Sequence, residues 1–448
     1  MFKLTQIIEI TKGEPYNFNS DLEIKGISID SRTIKEGEAF VAIKGRCFDG
    51  HDFIEEAINK KARLIIVSKK PKKNYPIPII LVRDTIEALG DIARFHRRRF
   101  SIPVIAITGS NGKTTAKEML FFILSKKFKV LKNQGTQNNQ IGLPLTLLKL
   151  DKSYQMAVVE LGTNHFGEID YLSKIASANI GIILNIGPSH LEFFKNLRGV
   201  YREKYSLINN LSFPNIGILN SDDQFLNYAL KTTKGKFLIS FGLKRRCDFR
   251  AEEVKIIKDL LTFEINKQKF FLRTLGIFNV YNALASVAVA RLFGMSYNEI
   301  VNRLKKFKFP HSRLQIKIIN GILFIDDTYN ANPSSLKEAL KALKMIKRDG
   351  RKIIVLADML ELGKTETDFH LQAGLQISKI CDIMISVGKR AGISAEVFKK
   401  KIKRTDTVFM CDSSLEAKDI LFNKIKPKRD DVVLLKGSRL MQLEKILE

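Results

Sequence analysis

The stretch that decides the fold is residues 105–115, which read IAITGSNGKTT. The apolar run Val104–Ile107 predicts a buried strand, and a helical pattern begins at about Thr115 after a turn with two glycines. A strand, a glycine-rich turn and a helix N-terminus together form an anion-binding cradle, because backbone N–H groups and the helix dipole favour negative charge at one place. The stretch therefore predicts a nucleoside triphosphate site.

The same turn indicates how the phosphates are held. Lys113 would reach the terminal phosphates, and Thr114 would offer its hydroxyl to a magnesium ion. The full GxxxxGK[ST] pattern would need a glycine where the chain has Ile107, so only the shorter Gly-x-x-Gly-Lys-Thr-Thr form is present. A chance glycine turn is the alternative, and the preceding strand and following helix disfavour it. The residues predicted to bind nucleotide here are Gly109, Ser110, Asn111, Gly112, Lys113, Thr114 and Thr115.

Length and composition indicate a globular protein of several domains. With 448 residues the chain is too long for one core, and its 45% hydrophobic and 27% charged residues are ordinary for a soluble protein. No apolar run is long enough to span a membrane. Residues 1–10 lack the apolar core of a secretory signal, and the four cysteines are scattered, so we expect a cytoplasmic protein.

The net charge of +28 is the one unusual bulk property. It allows nucleic-acid binding, but the basic residues are spread along the chain rather than gathered in one tail. The densest short run, Arg97–Arg99, follows a predicted helix. A lysine-rich composition together with an anionic substrate is the interpretation we favour, with no nucleic acid as partner.

Strands and helices alternate along most of the chain, which predicts an α/β fold with mostly parallel sheets. Residues 24–29 alternate like a strand, residues 166–175 read as a helix, and the pattern restarts near residue 310. We predict three domains: a small N-terminal α/β substrate domain (1–98), a central parallel-sheet ATPase domain of the P-loop type (99–312) and a C-terminal Rossmann-like α/β domain (313–448).

Two polar residues follow apolar strands near the phosphate turn. Glu160 ends one strand and His190 follows the next, and such a pair can ligate a divalent cation. Magnesium prefers oxygen, so the histidine needs an explanation, and a strand-end glutamate is alternatively a capping or salt-bridged carboxylate. Lys204 lies on a predicted helix, where a solvated lysine is the ordinary interpretation.

Further candidates lie in two helix-opening segments. Asn279 and Asn282 open a helix, either as N-caps or as groups that recognise adenine. Asp326 and Asp327 are adjacent at a strand end, where two carboxylates need cations, ribose hydroxyls or backbone donors. An Asx turn before a helix that has Pro333 in its first turn is compatible with either role.

In order and spacing, these motifs resemble those of the Mur ligase family of ATP-dependent amino-acid and peptide ligases. The resemblance covers nearly the whole chain. Its motifs are DSR at 30–32, GEAFVA at 37–42, DGH at 49–51, GSNGKTT at 109–115, NNQIGLP at 138–144, ELG at 160–162, GPSHLE at 187–192, DDTYNANP at 326–333, ELG at 361–363 and KGSR at 436–439.

The resemblance implies site residues and a reaction. It places the uridine nucleotide of a substrate at Ser28, Asp30, Ser31 and Arg32, and it places the rest of the substrates at Asn138, Asn330, Lys436, Ser438 and Arg439. ATP would lie at the phosphate turn, Asn279, Asn282, Arg313, Asp327 and Tyr329. One or two magnesium ions would lie at Thr114, Glu160, His190 and Lys204, with Lys204 carbamylated, and the catalytic groups would be Lys113, His190, Lys204 and Arg313.

The implied activity joins D-alanyl-D-alanine to UDP-N-acetylmuramoyl-tripeptide through an acyl phosphate, by a protein expected to be a monomer whose third domain closes over the site. A sister ligase that adds a single amino acid is one alternative. The Asp-Asn-Pro-Arg signature of the diaminopimelate-adding sister is absent, and NANP at 330–333 favours the dipeptide. A basic nucleic-acid-stimulated NTPase is the other alternative, and it leaves the first and last groups of motifs without a purpose.

Overall fold

The computed structural model describes residues 2–18, 22–45, 47–71, 73–257, 260–403 and 406–448. Its first part folds around a five-stranded sheet. The elements are β1 Phe2–Lys3, α1 Leu4–Thr11, β2 Glu14–Tyr16, β3 Glu23–Ile24, β4 Ile27–Ser28, β5 Ala39–Val41, α2 Ile54–Asn59, β6 Leu64–Val67, β7 Ile79–Leu81 and α3 Thr85–Arg98. The strand order is β2-β7-β6-β5-β4, with β4 to β7 parallel and β2 antiparallel at the edge.

The single strand predicted over residues 24–29 is wrong. β3 pairs with β1 in a separate two-stranded sheet, and β4 belongs to the five-stranded sheet. The chain passes from one sheet to the other at Lys25 and Gly26, whose backbone groups bond to Gly37 and Ala39 instead of to a single neighbouring strand.

A nine-stranded sheet forms the middle of the molecule. The elements are β8 Val104–Thr108, α4 Lys113–Leu124, β9 Val130–Lys132, α5 Gly142–Leu147, β10 Met156–Glu160, α6 Glu168–Ala176, β11 Ile180–Ile183, α7 Leu191–Phe194, α8 Leu197–Asn209, β12 Ile216–Asn220, α9 Gln224–Thr232, β13 Phe237–Gly242, β14 Phe249–Ile257, β15 Leu260–Ile265, β16 Gln268–Leu272, α10 Asn279–Leu292 and α11 Tyr297–Leu304. The order is β9-β10-β8-β11-β12-β13-β14-β15-β16, parallel from β9 to β14 and antiparallel from there to β16.

This sheet positions the phosphate turn at its centre. β8, β10 and β11 are buried along their whole length, because helices cover both faces of a parallel sheet. One core lies between the sheet and α4 with α10, and the other lies under α5, α6 and α8. β8 lies between β10 and β11, so the residues that follow all three strands meet at one edge. The helix predicted at 166–175 begins later, at Glu168, after Gly167 at φ +90°.

The last part of the chain forms a six-stranded sheet. The elements are β17 Gln315–Ile319, β18 Ile322–Asp327, α12 Pro333–Met345, β19 Lys352–Ala357, α13 Glu366–Ile377, β20 Ile383–Val387, α14 Lys389–Ile402, β21 Val408–Cys411, α15 Ser414–Asp419 and β22 Val432–Lys436. The order is β17-β18-β22-β19-β20-β21, with only β17 antiparallel and a core on each face.

The predicted fold class, three α/β units with mostly parallel sheets, is confirmed. The domain limits 1–98, 99–312 and 313–448 stay predictions. Within the described ranges, no helix has both the length and the apolar character that a membrane crossing requires.

Candidate active site

A cavity of about 920 Å³ lies at the carboxyl ends of the central strands, where α/β sheets bind ligands. The parts of the chain around the nine-stranded and the six-stranded sheets, called here the second and third units, supply most of its lining. The first unit, around the five-stranded sheet, contributes Ile86 at the start of α3. Its wall includes Lys113, Glu160, His190, Arg313, Tyr329 and Lys436. The structure thus brings together residues that the sequence predicted from widely separated motifs.

The phosphate turn has the geometry that its glycines allow. Gly109 and Gly112 have φ angles of +151° and +86°, and a Cβ at Gly112 would lie 2.5 Å from Oδ1 of Asn282. α4 begins at Lys113, directly after Gly112, so the free N–H groups of its first turn are at the cavity. The turn is fixed by Asn185 after β11, which accepts from the N–H of Asn111 at 2.9 Å and donates to its carbonyl at 3.0 Å.

Two lysines lie near this turn in a buried environment. Lys113 Nζ donates to the carbonyl of Gly109 at 2.9 Å, and burial lowers the pKa of Lys113, with Arg313 acting in the same direction. Lys204 on α8 is 1% exposed, so the interpretation as a solvated lysine is wrong. Burial holds the pKa of Lys204 well below its ordinary value, and the neighbouring charge of Lys113 lowers it further. Among the described residues, the Lys204 amine has no hydrogen-bond or ion-pair partner.

Glu160 presents a carboxylate to the cavity at the end of β10. Its Oε1 accepts from Nδ2 of Asn138 at 2.7 Å, while its buried Oε2 has no partner in the part of the chain that the structure describes. The alternative of a salt-bridged or capping carboxylate is therefore wrong. A buried carboxylate oxygen without a donor is costly, and it is the arrangement expected of a cation ligand.

Asn133, which the sequence analysis missed, fixes Glu160 from β9. Its side chain accepts from the N–H of Glu160 at 2.9 Å and donates to the carbonyl of Glu160 at 3.0 Å. Lys117, buried one turn after Lys113, donates to the carbonyl of Asn133 at 2.7 Å. The available signal was an asparagine directly after the short apolar run of β9, which was too short to be recognised as a strand.

His190 connects the second sheet to the third unit. Its Nδ1 lies 2.6 Å from Oε2 of Glu361, and this close contact lowers the pKa of the Glu361 carboxyl. His190 and Glu361 both have positive φ, at +51° and +62°, which aims the two side chains across the junction. Sequence analysis quoted Glu361 as part of a motif but gave it no role.

Arg313 also reaches across the junction, onto the phosphate turn itself. Its guanidinium donates to Oγ1 of Thr114 at 3.0 Å and stacks on the ring of Tyr329, with Cζ 3.8 Å from the ring centroid. Ser312 and Leu314 on either side of it have φ of +55° and +49°, a strained backbone that occurs at functional sites. A second contact joins Nδ2 of Asn332 to Oδ1 of Asn111 at 2.8 Å.

The adjacent carboxylates at the end of β18 have different partners. Asp326 accepts from Lys317 at 2.8 Å and forms the predicted Asx turn with Thr328. Asp327 forms an ion pair with Lys436 of β22 and accepts from the N–H of Leu314 at 3.1 Å. Burial raises the pKa of Asp327, and Lys436 opposes that rise. Two residues that were predicted to contact different substrates therefore contact each other.

The pair Asn279 and Asn282 forms an internal network at the start of α10. Asn282 Nδ2 donates to Oδ1 of Asn279 at 2.9 Å, and Nδ2 of Asn279 donates to Thr274 at 3.2 Å. The prediction of N-caps is wrong, because Phe278 occupies that position and makes no side-chain cap bond. Both asparagines are buried and line the cavity.

Asp222, a residue without a predicted role, forms the neighbouring wall. Its carboxylate accepts from the N–H groups of Leu243, Lys244 and Arg245 at 2.6–3.2 Å and from Tyr281 Oη at 3.0 Å. It therefore holds the turn between β13 and β14 against the cavity.

The residues predicted to bind the uridine nucleotide lie at the end of β4 and directly after it, outside the lining of the cavity. Arg32 forms an ion pair with Asp30 at 2.8 Å, and its hydrogen bonds lower the pKa of Asp30 to about 2. Ser28 Oγ donates to the carbonyl of Asp30 at 3.2 Å, and Ser31 Oγ donates to Glu56 at 2.8 Å. The structure does not bring these four residues to the phosphate turn.

Ser438 and Arg439 also lie outside the cavity lining. Ser438 Oγ accepts from the N–H of Leu360 at 2.9 Å and so supports the loop that carries Glu361. Arg439 forms an ion pair with Glu444 at 2.8 Å. Asn138 and Asn330, in contrast, line the cavity with Glu160 and Lys436.

Three family models match the chain in order. They are "Mur ligase family, catalytic domain" at residues 23–97, "Mur ligase middle domain" at 107–290 and "Mur ligase, glutamate ligase domain" at 312–439. The UDP-N-acetylmuramoyl-tripeptide–D-alanyl-D-alanine ligase of Bacillus subtilis (strain 168) is 34% identical over 99% of this chain and 96% of its own length. The chain belongs to the Mur ligase family.

Solved structures agree in fold. A crystal structure of MurF from Acinetobacter baumannii matches with a TM-score of 0.90 and 33% identity, over 100% of this chain and 98% of that one. MurF ligase from Thermotoga maritima in complex with ADP matches with a TM-score of 0.84 and 30% identity, over 96% and 97% of the two chains.

Proposed function

We propose that the protein is an ATP-dependent ligase that joins D-alanyl-D-alanine to UDP-N-acetylmuramoyl-tripeptide. The observation that carries the proposal is the composition of the phosphate site: the turn at Lys113 belongs to one sheet, while Arg313 and Asn332, which touch it, come from the other side of the junction. A site assembled from two units suits a reaction that must gather three substrates. The full-length relatives are named for this activity.

The cations of the cavity fit an acyl-phosphate reaction. A carboxylate is a poor acyl donor until ATP phosphorylates it, and both reactants of that step are anionic. Lys113 and Arg313 reduce the repulsion between them and stabilise the charge of the transferring phosphoryl group. The amine of the dipeptide then attacks the acyl carbon, and the tetrahedral intermediate expels phosphate. Through Glu361 and Asn332 the third unit contacts the second at the cavity, and this closure would exclude water from the acyl phosphate.

The donor set at Glu160 fits magnesium. Its unpartnered Oε2 and the hydroxyl of Thr114 are hard oxygen ligands at the cavity wall. Within the described ranges, no three His, Cys, Asp or Glu side chains cluster as a metal site, so phosphate oxygens and water would complete the coordination. Magnesium there would neutralise phosphate charge. His190 would serve as a further ligand once its nitrogen exchanges Glu361 for the ion.

Lys204 is suited to carbamylation. Burial lowers the pKa of Lys204, which favours the neutral, nucleophilic form of the amine, and the amine has no competing partner in the described structure. Attack of the amine on carbon dioxide forms the N–C bond and releases one proton, which gives a carbamate anion. That anion would compensate the charge of Lys113 and add oxygen ligands for a second magnesium ion.

The residues at the two ends of the cavity suggest where the remaining parts of the substrates would bind. Adenine would lie against Asn279, Asn282 and the turn held by Asp222, and Tyr329 would contact the nucleotide beside Arg313. Because Asp327 is engaged by Lys436, we infer that it acts by positioning Lys436 and the segment of Arg313. The tripeptide end would pass Asn138 and Asn330 and the dipeptide would enter near Lys436, Ser438 and Arg439, while Ser28, Asp30, Ser31 and Arg32 would hold the distant uridine diphosphate. We further propose that the protein acts as a cytoplasmic monomer.

The test is phosphate release with substrates omitted one at a time. Release should require ATP, magnesium, the UDP-tripeptide and D-alanyl-D-alanine together. Release that is indifferent to the dipeptide would reject the proposal, and a panel of free amino acids in its place tests the sister-ligase alternative. Lys113→Ala should lower kcat by about a hundredfold or more, whereas Lys126→Ala, an exposed lysine just beyond α4, should not.

A further inference from the structure

A second pocket, of about 620 Å³, lies at the opposite end of the central sheet from the cavity. Pro103, Asn179 and Ile216 line it, at or next to the first residues of β8, β11 and β12. We call it the rear groove and define it by Arg97, Arg98, Phe213, Ile216, Leu292 and Phe293. None of the proposed catalytic or substrate-binding residues lines it.

Large apolar side chains surround the rear groove and face solvent. Phe213 is 87% exposed on the turn before β12, and Leu292 is 41% exposed at the end of α10. Phe237, which is 61% exposed, is the register partner of Ile216 on the neighbouring strand. Single exposed apolar residues are common, but several around one groove mark an interaction site.

The charges around the groove have one sign. No Asp or Glu is among its described lining residues, whereas Arg98 lines it, and Lys234 and Lys236 precede the exposed Phe237 in the chain. Arg97 is buried and donates to the carbonyls of Ala176, Phe100 and Ile102 at 2.6–3.1 Å, without a carboxylate partner in the described structure. The groove therefore holds cations that the protein itself does not neutralise, in a chain with a net charge of +28.

We propose that the rear groove and its rim dock the protein onto a bilayer surface that contains anionic phospholipids. Exposed phenylalanines beside lysine and arginine are the side chains that partition into the headgroup region, the rings entering the acyl boundary while the cations meet lipid phosphates. Docking through this end leaves the catalytic cavity, at the other end of the strands, open to the aqueous phase. Arg98, in the densest basic run of the sequence, has no role in the ligase reaction, and this surface gives it one.

Sedimentation of the full-length protein with vesicles tests the proposal. The wild type should bind phosphatidylglycerol–phosphatidylcholine vesicles, ignore pure phosphatidylcholine vesicles and dissociate at about 0.5 M salt. Phe213→Ser with Phe237→Ser, and separately Arg98→Gln with Lys234→Gln, should each weaken binding by on the order of tenfold. Phosphate release in solution should not change in any of them, which shows that the variants fold.

Matched controls decide whether the rear groove is responsible. Phe48→Ser, at a phenylalanine that is 74% exposed elsewhere, and Lys379→Gln with Lys400→Gln, at exposed lysines of the third unit, should bind like the wild type. Binding that falls equally in the charge control, or is indifferent to the two phenylalanines, would overturn the proposal in favour of unspecific attraction. A concentration-dependent dimer abolished by Phe213→Ser would overturn it too, since the groove would then be a contact between two copies.

Discussion

Lys204 is an amine enclosed by protein without a hydrogen-bond acceptor among the described residues. Such a group reduces stability, because a buried polar group without a partner loses its hydration, and its presence therefore indicates a role in the reaction. Nothing in the sequence around it distinguished it from a solvated lysine. Its burial depends on how α8 packs under the sheet, which residue-by-residue patterns do not determine.

Lys204→Met should therefore separate stability from activity. In degassed buffer we expect the variant to gain on the order of 1 to 3 kcal/mol in the free energy of unfolding, because a buried amine is replaced by an apolar chain of similar length. Phosphate release dependent on the dipeptide should fall by about a hundredfold. Urea unfolding and a coupled phosphate assay measure the two quantities, and a variant that is both less stable and fully active would contradict the role of Lys204.

The same substitution has a pH signature. The folded-state pKa of Lys204 lies below the ordinary value of 10.5, so between these two values the unfolded chain binds more protons than the folded one. The stability of the wild type should consequently rise with pH across that window, relative to Lys204→Met. Urea titrations at several pH values should show the advantage of the variant narrowing towards pH 10.5, and a constant difference would mean that the amine is not desolvated.

Arg313 should not be replaceable by lysine. Its contact with Thr114 and its stacking on Tyr329 both use the planar guanidinium, and an ammonium group reproduces neither geometry. We expect Arg313→Lys and Arg313→Ala to lower kcat by about a thousandfold. Tyr329→Phe keeps the stacked ring and should stay within a few-fold of the wild type, and steady-state kinetics compare the three. A wild-type kcat in Arg313→Lys would show that catalysis does not depend on the planar guanidinium.

At the scale of elements, the fully buried parallel strands were predictable, whereas the antiparallel strands and the parallel strands β9 and β13 were not. β8, β10 and β11 are continuous apolar runs, whereas β14 alternates buried and exposed positions and carries charges such as Arg250 and Glu252. A register shift between Glu252 and Lys255 breaks its alternation further. The hairpin of β14 to β16 and the edge strand β17 were consequently missed, while the predicted site residues of the central sheet do line a cavity at the carboxyl ends of its strands.

The turn between β13 and β14 gives a prediction at this scale. Asp222→Asn removes the charge that holds the N–H groups of residues 243–245. The turn between β13 and β14, against which adenine would lie, should then be less rigidly held. We expect KM for ATP to rise about tenfold with little change in kcat, since hydrogen bonds to charged groups contribute about 1.5 to 3 kcal/mol. Asp248→Asn is the control, because Asp248 accepts from Ser240 in the same strand pair but lies outside the cavity lining. Equal effects of the two substitutions on KM for ATP would show that Asp222 has no specific role at the proposed adenine site.

At the scale of the molecule, the third unit is closed on the second. Polar contacts across the junction join His190 with Glu361, Asn111 with Asn332 and Thr114 with Arg313, and apolar side chains such as Leu275 and Phe278 pack into a core of the third unit. Five of these six polar residues lie in the motifs of the sequence analysis and Arg313 was implied by the family resemblance, but only the fold shows that the six meet in pairs. Which residues meet across the junction depends on the angle between the two sheets, and no local sequence pattern encodes that angle.

Glu361→Gln should shift this closure without unfolding either unit. Losing the carboxylate contact with His190 removes one of the contacts that favour the closed form, so the radius of gyration in solution scattering should increase and kcat/KM should fall about tenfold. Glu366→Gln is the control, because Glu366 pairs with Arg390 inside the third unit. An unchanged radius together with unchanged kinetics would show that Glu361 does not maintain the closed form.

The position of Arg313 on the connection between the two sheets has a pharmacological consequence. An inhibitor that binds a self-contained phosphate turn must compete with an abundant nucleotide. Here a small molecule wedged at the junction would withdraw the guanidinium from Thr114 while the nucleotide stays bound, so it needs no resemblance to ATP. Such a wedge would be insensitive to cellular nucleotide levels, and resistance to it would have to arise in residues that the enzyme needs in order to close.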